Sequence, residues 1–279
     1  MTCINLLLRE ARRDTEPGDA EALLAHVLGQ PVGWLYAHGD EALQGDDRVR
    51  FDTLLERRRR GVPVAYLTGR RGFWRFDVQV TPDTLIPRPE TERLVELALE
   101  RLPTDADVRV ADLGTGSGVI ALALATERPR ARVEAVDASP AALAVAAANA
   151  RELGVDGIAF HEGDWFEPLE GAFDLIASNP PYIASEDPHL AIGDLRAEPR
   201  GALASGIDGL DALRRIADGA TAFLAPGGWL LVEHGWAQGA SVRELFEAAG
   251  LVAVETATDL EGRDRVTLGR RPVPPGTPS

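Results

Sequence analysis

The strongest constraint in this sequence is an alternation that begins at Val108. Short apolar runs rich in β-branched residues are followed, one after another, by longer stretches with helical spacing. "VRVADLG", "RVEAVDA", "IAFHEG", "FDLIASN" and "GWLLVEHG" read as strands, while "GLDALRRIADGATAFL" and "AQGASVRELFEAAG" read as helices. Strands that alternate with helices are joined by crossovers, and crossovers build a mostly parallel sheet with helices on both faces. The closing runs "LVAVETATDL" and "RVTLG" read as a hairpin-like pair. An α/β fold is expected here. Ligands of such sheets sit at the carboxyl ends of the strands, near the switch in strand order, so the search for a site starts there.

Upstream the pattern changes. "INLLLREARR", "DAEALLAHVLG", "VGWLYAHG" and "DDRVRFDTLLERRRRG" carry apolar residues three and four apart, separated by glycine and proline. Residues 1–71 are therefore expected to form a small helical domain. Residues 72–92 contain "FWRFDVQV", a strand or hairpin pattern, and lead as a linker into "LIPRPETE". Residues 93–270 carry the α/β domain, and 271–279 read as a disordered tail with nothing to bury. Arg57 to Arg60 close the last N-terminal helix, where positive charge suits the helix dipole. Contact with RNA or an acidic partner is the competing reading of that run.

Composition works by exclusion. A net charge of −15 opposes long-range attraction to phosphate backbones, which argues against DNA as a partner. The chain has no lysine, so Schiff-base and lysine-base mechanisms are ruled out. The five histidines, His26, His38, His161, His189 and His234, lie far apart, and no metal site is expected. Cys3 is the sole cysteine, so no internal disulfide can form. "REARRDTEPGD" is too polar for a signal peptide, and no apolar run approaches membrane-spanning length. A soluble, cytoplasmic monomer without membrane contact is the expectation.

"VADLGTGSGVIALALA" places Gly114, Thr115, Gly116, Ser117 and Gly118 between a buried strand and an apolar helix. Such a loop turns tightly and lets a ligand approach the backbone, a look shared with dinucleotide-binding proteins. Asp112 precedes it, and the next strand ends in Asp137, an acid that can accept hydrogen bonds from both hydroxyls of an adenosine ribose. Asp164 and Trp165 of "EGDWF" end a third strand, where an adenine ring can be sandwiched and its amino group bound. This arrangement resembles the class I S-adenosylmethionine-dependent methyltransferases, whose seven-stranded, mostly parallel sheet has an antiparallel last strand.

"SNPPYI" ends the "FDLIA" strand oddly. Asn179-Pro180-Pro181-Tyr182 matches the [N/D]PPY motif of methyltransferases that modify a planar amide or amino nitrogen. Such a nitrogen is a poor nucleophile because its lone pair is delocalised. The Asn179 side-chain oxygen and a backbone carbonyl, that of Pro180, can each accept one N–H, and the prolines hold that backbone acceptor in place beforehand. Tyr182 can stack on the flat group.

"LIPRPETE", "DLGTGSG", "SNPPYI", "DPHL", "DLRAEP" and "EHGWAQ" stand in the order and spacing of the release factor glutamine methyltransferases, the HemK/PrmC family, which the chain resembles over nearly its whole length. The resemblance implies methyl transfer from S-adenosylmethionine to the N5 amide of the Gly-Gly-Gln glutamine of class I peptide chain release factors, with S-adenosylhomocysteine as product. It implies a cofactor site at Gly114 to Gly118, Asp137, Asp164, Trp165 and Asn179, and a glutamine clamp at Asn179, Pro180, Pro181 and Tyr182. Arg88 and Glu90 would be supporting neighbours, and the helical domain would help grip the release factor. Ala197 in "DLRAEP" departs from an aromatic expected there. The rival readings are a ribosomal-protein glutamine methyltransferase, a DNA adenine or cytosine amino-methyltransferase, and a non-catalytic S-adenosylmethionine-binding protein.

Overall fold

The structure is a computed structural model and describes residues 3–43 and 45–274. The chain divides into two compact units. One runs to Arg70 and takes back the short segment Ile192–Ala197; the other comprises Arg71–Ala191 and Glu198 onward.

The first unit is helical: α1 (Ile4–Ala11), α2 (Asp19–Leu28), α3 (Val32–Ala37), α4 (Gly45–Arg59) and α5 (Val64–Thr68). Ile4, Leu7, Leu8 and Ala11 form one buried stripe on α1, the i, i+3, i+4, i+7 spacing of an amphipathic helix. They join Leu23, Leu24, Leu35, Phe51 and Leu55 in a separate apolar core. The arginine run ends α4, opposite Asp46 and Asp47 in its first turn. Arg58 bridges Asp19 at 2.5 Å and Asp194 at 2.8 Å with its side chain only 13% exposed. Arg59 pairs with Asp14, and Arg60 with Glu56. Intramolecular ion pairs therefore occupy three of the four arginines. α5 lies in "VAYLT", which sequence patterning leaves unassigned because five residues are too few to display a helical period.

β1 (Arg70–Phe73), which lies in the second unit from Arg71 onward, and β2 (Phe76–Gln79) form a two-stranded sheet. The main sheet has seven strands: β3 (Arg109–Leu113), β4 (Arg132–Asp137), β5 (Ile158–Glu162), β6 (Phe173–Ser178), β7 (Leu224–Glu233), β8 (Val252–Thr258) and β9 (Asp264–Arg270). Their order is β5-β4-β3-β6-β7-β9-β8, with β9 antiparallel to both of its neighbours and the other pairings parallel. From Leu175 to Ser178 every residue of β6 is buried, as a central parallel strand covered on both faces requires. The helices are α6 (Thr91–Arg101), α7 (Val119–Glu127), α8 (Pro140–Leu153), α9 (Asp211–Phe223) and α10 (Gly239–Ala248).

Chain order from β3 steps outward through β4 to β5, and then returns to β6 on the other side of β3. Right-handed crossovers therefore put α7 and α8 on one face and α9 and α10 on the other. Leu213, Ile216, Val242 and Phe246 from α9 and α10 share a core with Leu113, Ile176, Leu230 and Val232 of the strands. The switch in strand order lies between β3 and β6, where Leu113 stands opposite Ser178. Local caps sharpen the pattern: the Ser139 hydroxyl accepts from Ala142 N at 3.2 Å, Pro140 opens α8, and Gly154 closes it at φ +63°.

No helix among the described residues is long and apolar enough to cross a membrane. Of the tail expected at 271–279, residues 275–279 lie outside the described part. Arg271 donates from its backbone N to Gly228 O at 2.8 Å and accepts through its carbonyl from Gly227 N at 3.0 Å, continuing the β7–β9 pairing by one residue.

Candidate functional site

Both motifs meet at the switch point. β3 ends in Leu113, and the loop turns at once: Gly114 N and Thr115 N donate to Val136 O at 2.8 and 2.9 Å. Gly114 sits at φ +70°, and a Cβ there would stand 3.5 Å from the Trp165 ring. Gly118 sits at φ +88°, and a Cβ there would come within 3.0 Å of Ala146, so glycine allows α7 to start against α8. Behind the loop, Asp112 is fully buried. Its Oδ2 accepts from Thr115 Oγ1 at 2.6 Å and Ala121 N at 3.1 Å, while Oδ1 has no partner among the described residues. Burial pushes this carboxyl up to about 7 against the pull of those two donors. Asn149 of α8 fastens the loop further, donating to Ser117 O at 2.9 Å and Gln79 O at 3.1 Å.

Asp137 closes β4. Its two oxygens accept from Gly116 N at 2.8 Å and Ser139 N at 2.9 Å, one backbone donor each. A carboxylate oxygen has two lone pairs, so each keeps capacity for a ligand hydroxyl. Trp165 adopts φ +55°, an uncommon backbone for a bulky residue, and lies against the apolar core beside the loop. Asp164 faces the same space but is shared: its Oδ2 accepts from Arg215 at 2.6 Å.

The "NPPY" segment is fastened from four directions. The Ser178 hydroxyl donates to Leu113 O at 2.7 Å, tying the end of β6 to the end of β3. Asn179 Nδ2 donates to Thr91 Oγ1 at 3.0 Å, the first residue of α6. The Tyr182 hydroxyl donates to Glu233 Oε1 at 3.2 Å, and its carbonyl accepts from Gln238 Nε2 at 3.0 Å. Thr91 is 2% and Glu233 1% exposed, so water does not compete with these bonds. Burial raises the Glu233 carboxyl to about 7; a hydrogen bond from Thr91, the charge of Arg265 and the bond from Tyr182 pull it down, and the charge of Glu90 adds to the rise. Burial, helped by the charge of Glu233, raises Tyr182 well above its ordinary value, so it stays a neutral hydrogen-bond donor. His234 is pushed down by burial and is neutral; its Nδ1–H donates to Gly235 O, and Nε2 accepts from Thr267.

The "LIPRPETE" segment is anchored by one buried acid. Glu198 accepts from Ile86 N at 2.9 Å with one oxygen and from the Arg88 guanidinium with the other. A cavity of about 370 Å³ lies between these pieces. Of the residues singled out in the sequence, Arg88, Gly114, Thr115, Gly116, Ser117, Asp137, Asp164, Trp165, Asn179 and Pro181 line it. Gly118, Pro180, Tyr182 and Glu90 do not: Gly118 packs on α8, Pro180 is buried beneath, Tyr182 turns to Glu233, and Glu90 is exposed at the start of α6. Sequence reasoning missed the roles of Thr91, Asn149, Glu198, Glu233 and Gln238. Four of these stand inside or beside quoted motifs, and that position was the available signal.

Residues 93–206 match the methyltransferase small domain, and residues 3–69 the PrmC N-terminal domain. In fold, the chain resembles a methyltransferase from Pyrococcus furiosus, with a TM-score of 0.55 at 16% identity over 72% of this chain and 92% of that one. The fold is thus that of a methyltransferase domain. Among curated proteins, the release factor glutamine methyltransferase of Xylella fastidiosa strain 9a5c is 60% identical over 95% of this chain and 97% of its own. That of Salmonella typhimurium strain LT2 is 49% identical over 92% and 93%. The chain belongs to the release factor glutamine methyltransferase family.

Proposed function

We propose that this enzyme methylates the N5 side-chain amide of the glutamine in the Gly-Gly-Gln motif of class I peptide chain release factors, using S-adenosylmethionine and releasing S-adenosylhomocysteine. The observation that carries the reading is the polarity of Asn179. Its Nδ2 is engaged by Thr91, which leaves Oδ1 as an acceptor at the cavity for an NH2 group. Family membership supplies the owner of that group.

The residues around the cavity fit the cofactor. Gly114 keeps the floor clear beside Trp165, Asp137 retains lone pairs for two ribose hydroxyls, and Trp165 offers a ring to adenine. When bound, S-adenosylmethionine supplies a methyl group made electrophilic by its sulfonium charge. The chain's own residues do the rest by positioning. Asn179 Oδ1 and the Pro180 carbonyl each accept one N–H of the glutamine amide, which turns the nitrogen's lone pair towards the methyl. No protein donor among the described residues reaches either oxygen. Pro180 and Pro181 have fixed φ, so the acceptors are in place before the substrate arrives. The same oxygens stabilise positive charge developing on nitrogen. The alkylated nitrogen then gives its proton to water, and no strong base is required. Tyr182, held at both its hydroxyl and its carbonyl, braces the segment from behind. The helical unit contributes partner recognition, and the enzyme works as a cytoplasmic monomer.

Transfer of labelled methyl to a class I release factor tests the reading. The expected result is label on the factor that disappears when its Gly-Gly-Gln glutamine is changed to alanine. Label confined to ribosomal protein or duplex DNA, run as parallel substrates, would overturn it.

A further inference from the structure

Beyond Tyr182 the chain does not run free. Ile183 N donates to Leu203 O at 2.9 Å, Ser205 N to Ile183 O at 2.9 Å and Ser185 N to Gly206 O at 2.8 Å, so residues 203–206 lie alongside 183–185 in a short parallel ladder. The ladder delivers the loop that follows, 207–209, to the Tyr182 carbonyl. Gly209, at φ +78°, passes so close that a Cβ would stand 2.3 Å from that oxygen. From the other side comes the 235–238 turn after β7. It is closed twice, by Gln238 N donating to Gly235 O at 2.8 Å and by Gly235 N donating to Gln238 Oε1 at 2.8 Å. The other end of the same carboxamide, Nε2, donates to Tyr182 O at 3.0 Å and comes within 3.5 Å of Asp208 O and Gly209 O. One side chain therefore ties two loops to the end of the "NPPY" segment, all within the second unit.

Each of these loops carries a large apolar side chain that the fold does not use. Trp236, at a corner of the 235–238 turn, is 66% exposed, and Ile207 is 94% exposed. Neither borders the cavity, and neither belongs to the core of this unit. The indole N–H of Trp236 meets no acceptor among the described residues. A lone exposed apolar side chain is ordinary on a protein surface. These two differ in their mounting. Trp236 rides on the doubly closed turn. Beside Ile207, the Asp208 carboxylate accepts from Leu210 N at 3.1 Å and from both arms of the Arg214 guanidinium at 2.5 and 3.1 Å. Backbone that is held this firmly, bonded to the substrate clamp and bearing an unused indole, is built as a contact surface, where tryptophan is a favoured anchor.

We propose that Trp236 and Ile207 form a docking lip for the release factor, meeting the polypeptide that flanks the methyl-accepting glutamine, and that Gln238 fixes this lip relative to the clamp. The inference rests on the proposed transfer to the Gly-Gly-Gln glutamine, and the occupant follows from that chemistry. A glutamine amide held by Asn179 and the Pro180 carbonyl is part of a whole protein. Its own backbone has to leave past the residues that continue from Tyr182 and the loops bonded to them. A polypeptide offers carbonyl acceptors and apolar side chains. The indole answers with a flat apolar face and one N–H donor, and Ile207 adds a second apolar contact. The clamp selects the amide; the lip selects the chain around it.

Steady-state methylation of a class I release factor by full-length variants tests this. Trp236→Ala, a truncation at an exposed turn corner, should raise KM for the factor about tenfold, and Ile207→Ser about threefold, the scale of one strong and one weaker interface contact. In both, the loss should fall in KM rather than kcat, and affinity for S-adenosylhomocysteine should hold. Gln238→Leu keeps the bulk and removes both bonds of the carboxamide. It should lower kcat as well, because the Tyr182 carbonyl loses its partner. Val252→Thr is the control: its side chain is 48% exposed on β8, opposite Arg270 at the end of β9 remote from the cavity, and it should match wild type. The proposal is overturned if Trp236→Ala keeps the wild-type KM, if Val252→Thr raises KM as much, or if Gln238→Leu leaves both constants unchanged. Calorimetric binding of the factor to the enzyme loaded with S-adenosylhomocysteine separates the lip from the assigned reaction. A wild-type protein that binds the factor through Trp236 without methylating it would sink the reaction and keep the lip. One that methylates the factor, with no loss in Trp236→Ala, would do the reverse.

Discussion

The two halves of the cavity are built by different means. The half around Gly114 and Asp137 is shaped by backbone: its amides meet Val136 O, and Asp137 receives two main-chain N–H groups. The half around Asn179 is shaped by side chains: Thr91, Glu233, Gln238 and Glu198 hold it, three of them bearing on the "NPPY" segment itself. The first needs glycine, because a ligand has to approach the chain closely. The second needs buried polar side chains, because the orientation of one amide has to be fixed where water cannot reach. A cofactor with many contacts tolerates small errors in any one of them; a single NH2 group gripped by two oxygens does not.

Substitutions that damage one half alone test that division. The largest effect is expected from Asn179→Ala, which removes one of the two acceptors: methyl transfer should fall by about a thousandfold, the upper range for one preorganised contact. Affinity for S-adenosylhomocysteine, measured by calorimetry, should change little. Comparable loss of both would mean that the halves are not separable. Gly118→Val attacks the other half. It forces a β-branched residue to φ +88° with Ala146 only 3.0 Å away, and should cost about 2–4 kcal/mol in a denaturant titration. Weaker cofactor binding should accompany it, and unchanged stability would show that the loop has slack.

The smallest effect concerns Asp112. Its folded-state value near 7 exceeds the ordinary value of 3.8, so between those limits the folded chain holds a proton that the unfolded chain has released. Stability from this group therefore falls as pH rises from about 4 to about 7. Glu233, also raised to about 7, adds a slope of the same sign. Asp112→Asn should make the decline shallower without abolishing it, as read from urea unfolding at several pH values. An unaltered slope would mean that Asp112 titrates normally.

The same contrast explains how much could be read from the sequence. The glycine half was legible because its parts are near one another: Gly116 and Asp137 are 21 residues apart, each at the end of a recognisable strand. Asn179 and the prolines were legible because the chemistry of an NH2 group demands those residue types. Their supports were not, because Thr91 lies 88 residues from Asn179, Glu233 lies 51 from Tyr182, and Glu198 lies 112 from Ile86. Nothing local in a threonine or a glutamate announces such a partner. The alternation of strands and helices and the helical first unit followed from periodicity, whereas the strand order, α5, α6 and the 3₁₀ turns after Tyr182 did not. In α6 the missing cue was a strong cap: Glu90 makes no side-chain capping bond.

The most direct test of the central claim is to locate the methyl group. A class I release factor would be incubated with the enzyme and S-adenosylmethionine, and its Gly-Gly-Gln peptide fragmented in a mass spectrometer. The account predicts one methyl group, on the glutamine side-chain nitrogen, absent when Asn179→Ala replaces the wild-type enzyme. A methyl group on any other residue of the factor, or one that Asn179→Ala still installs, would contradict it.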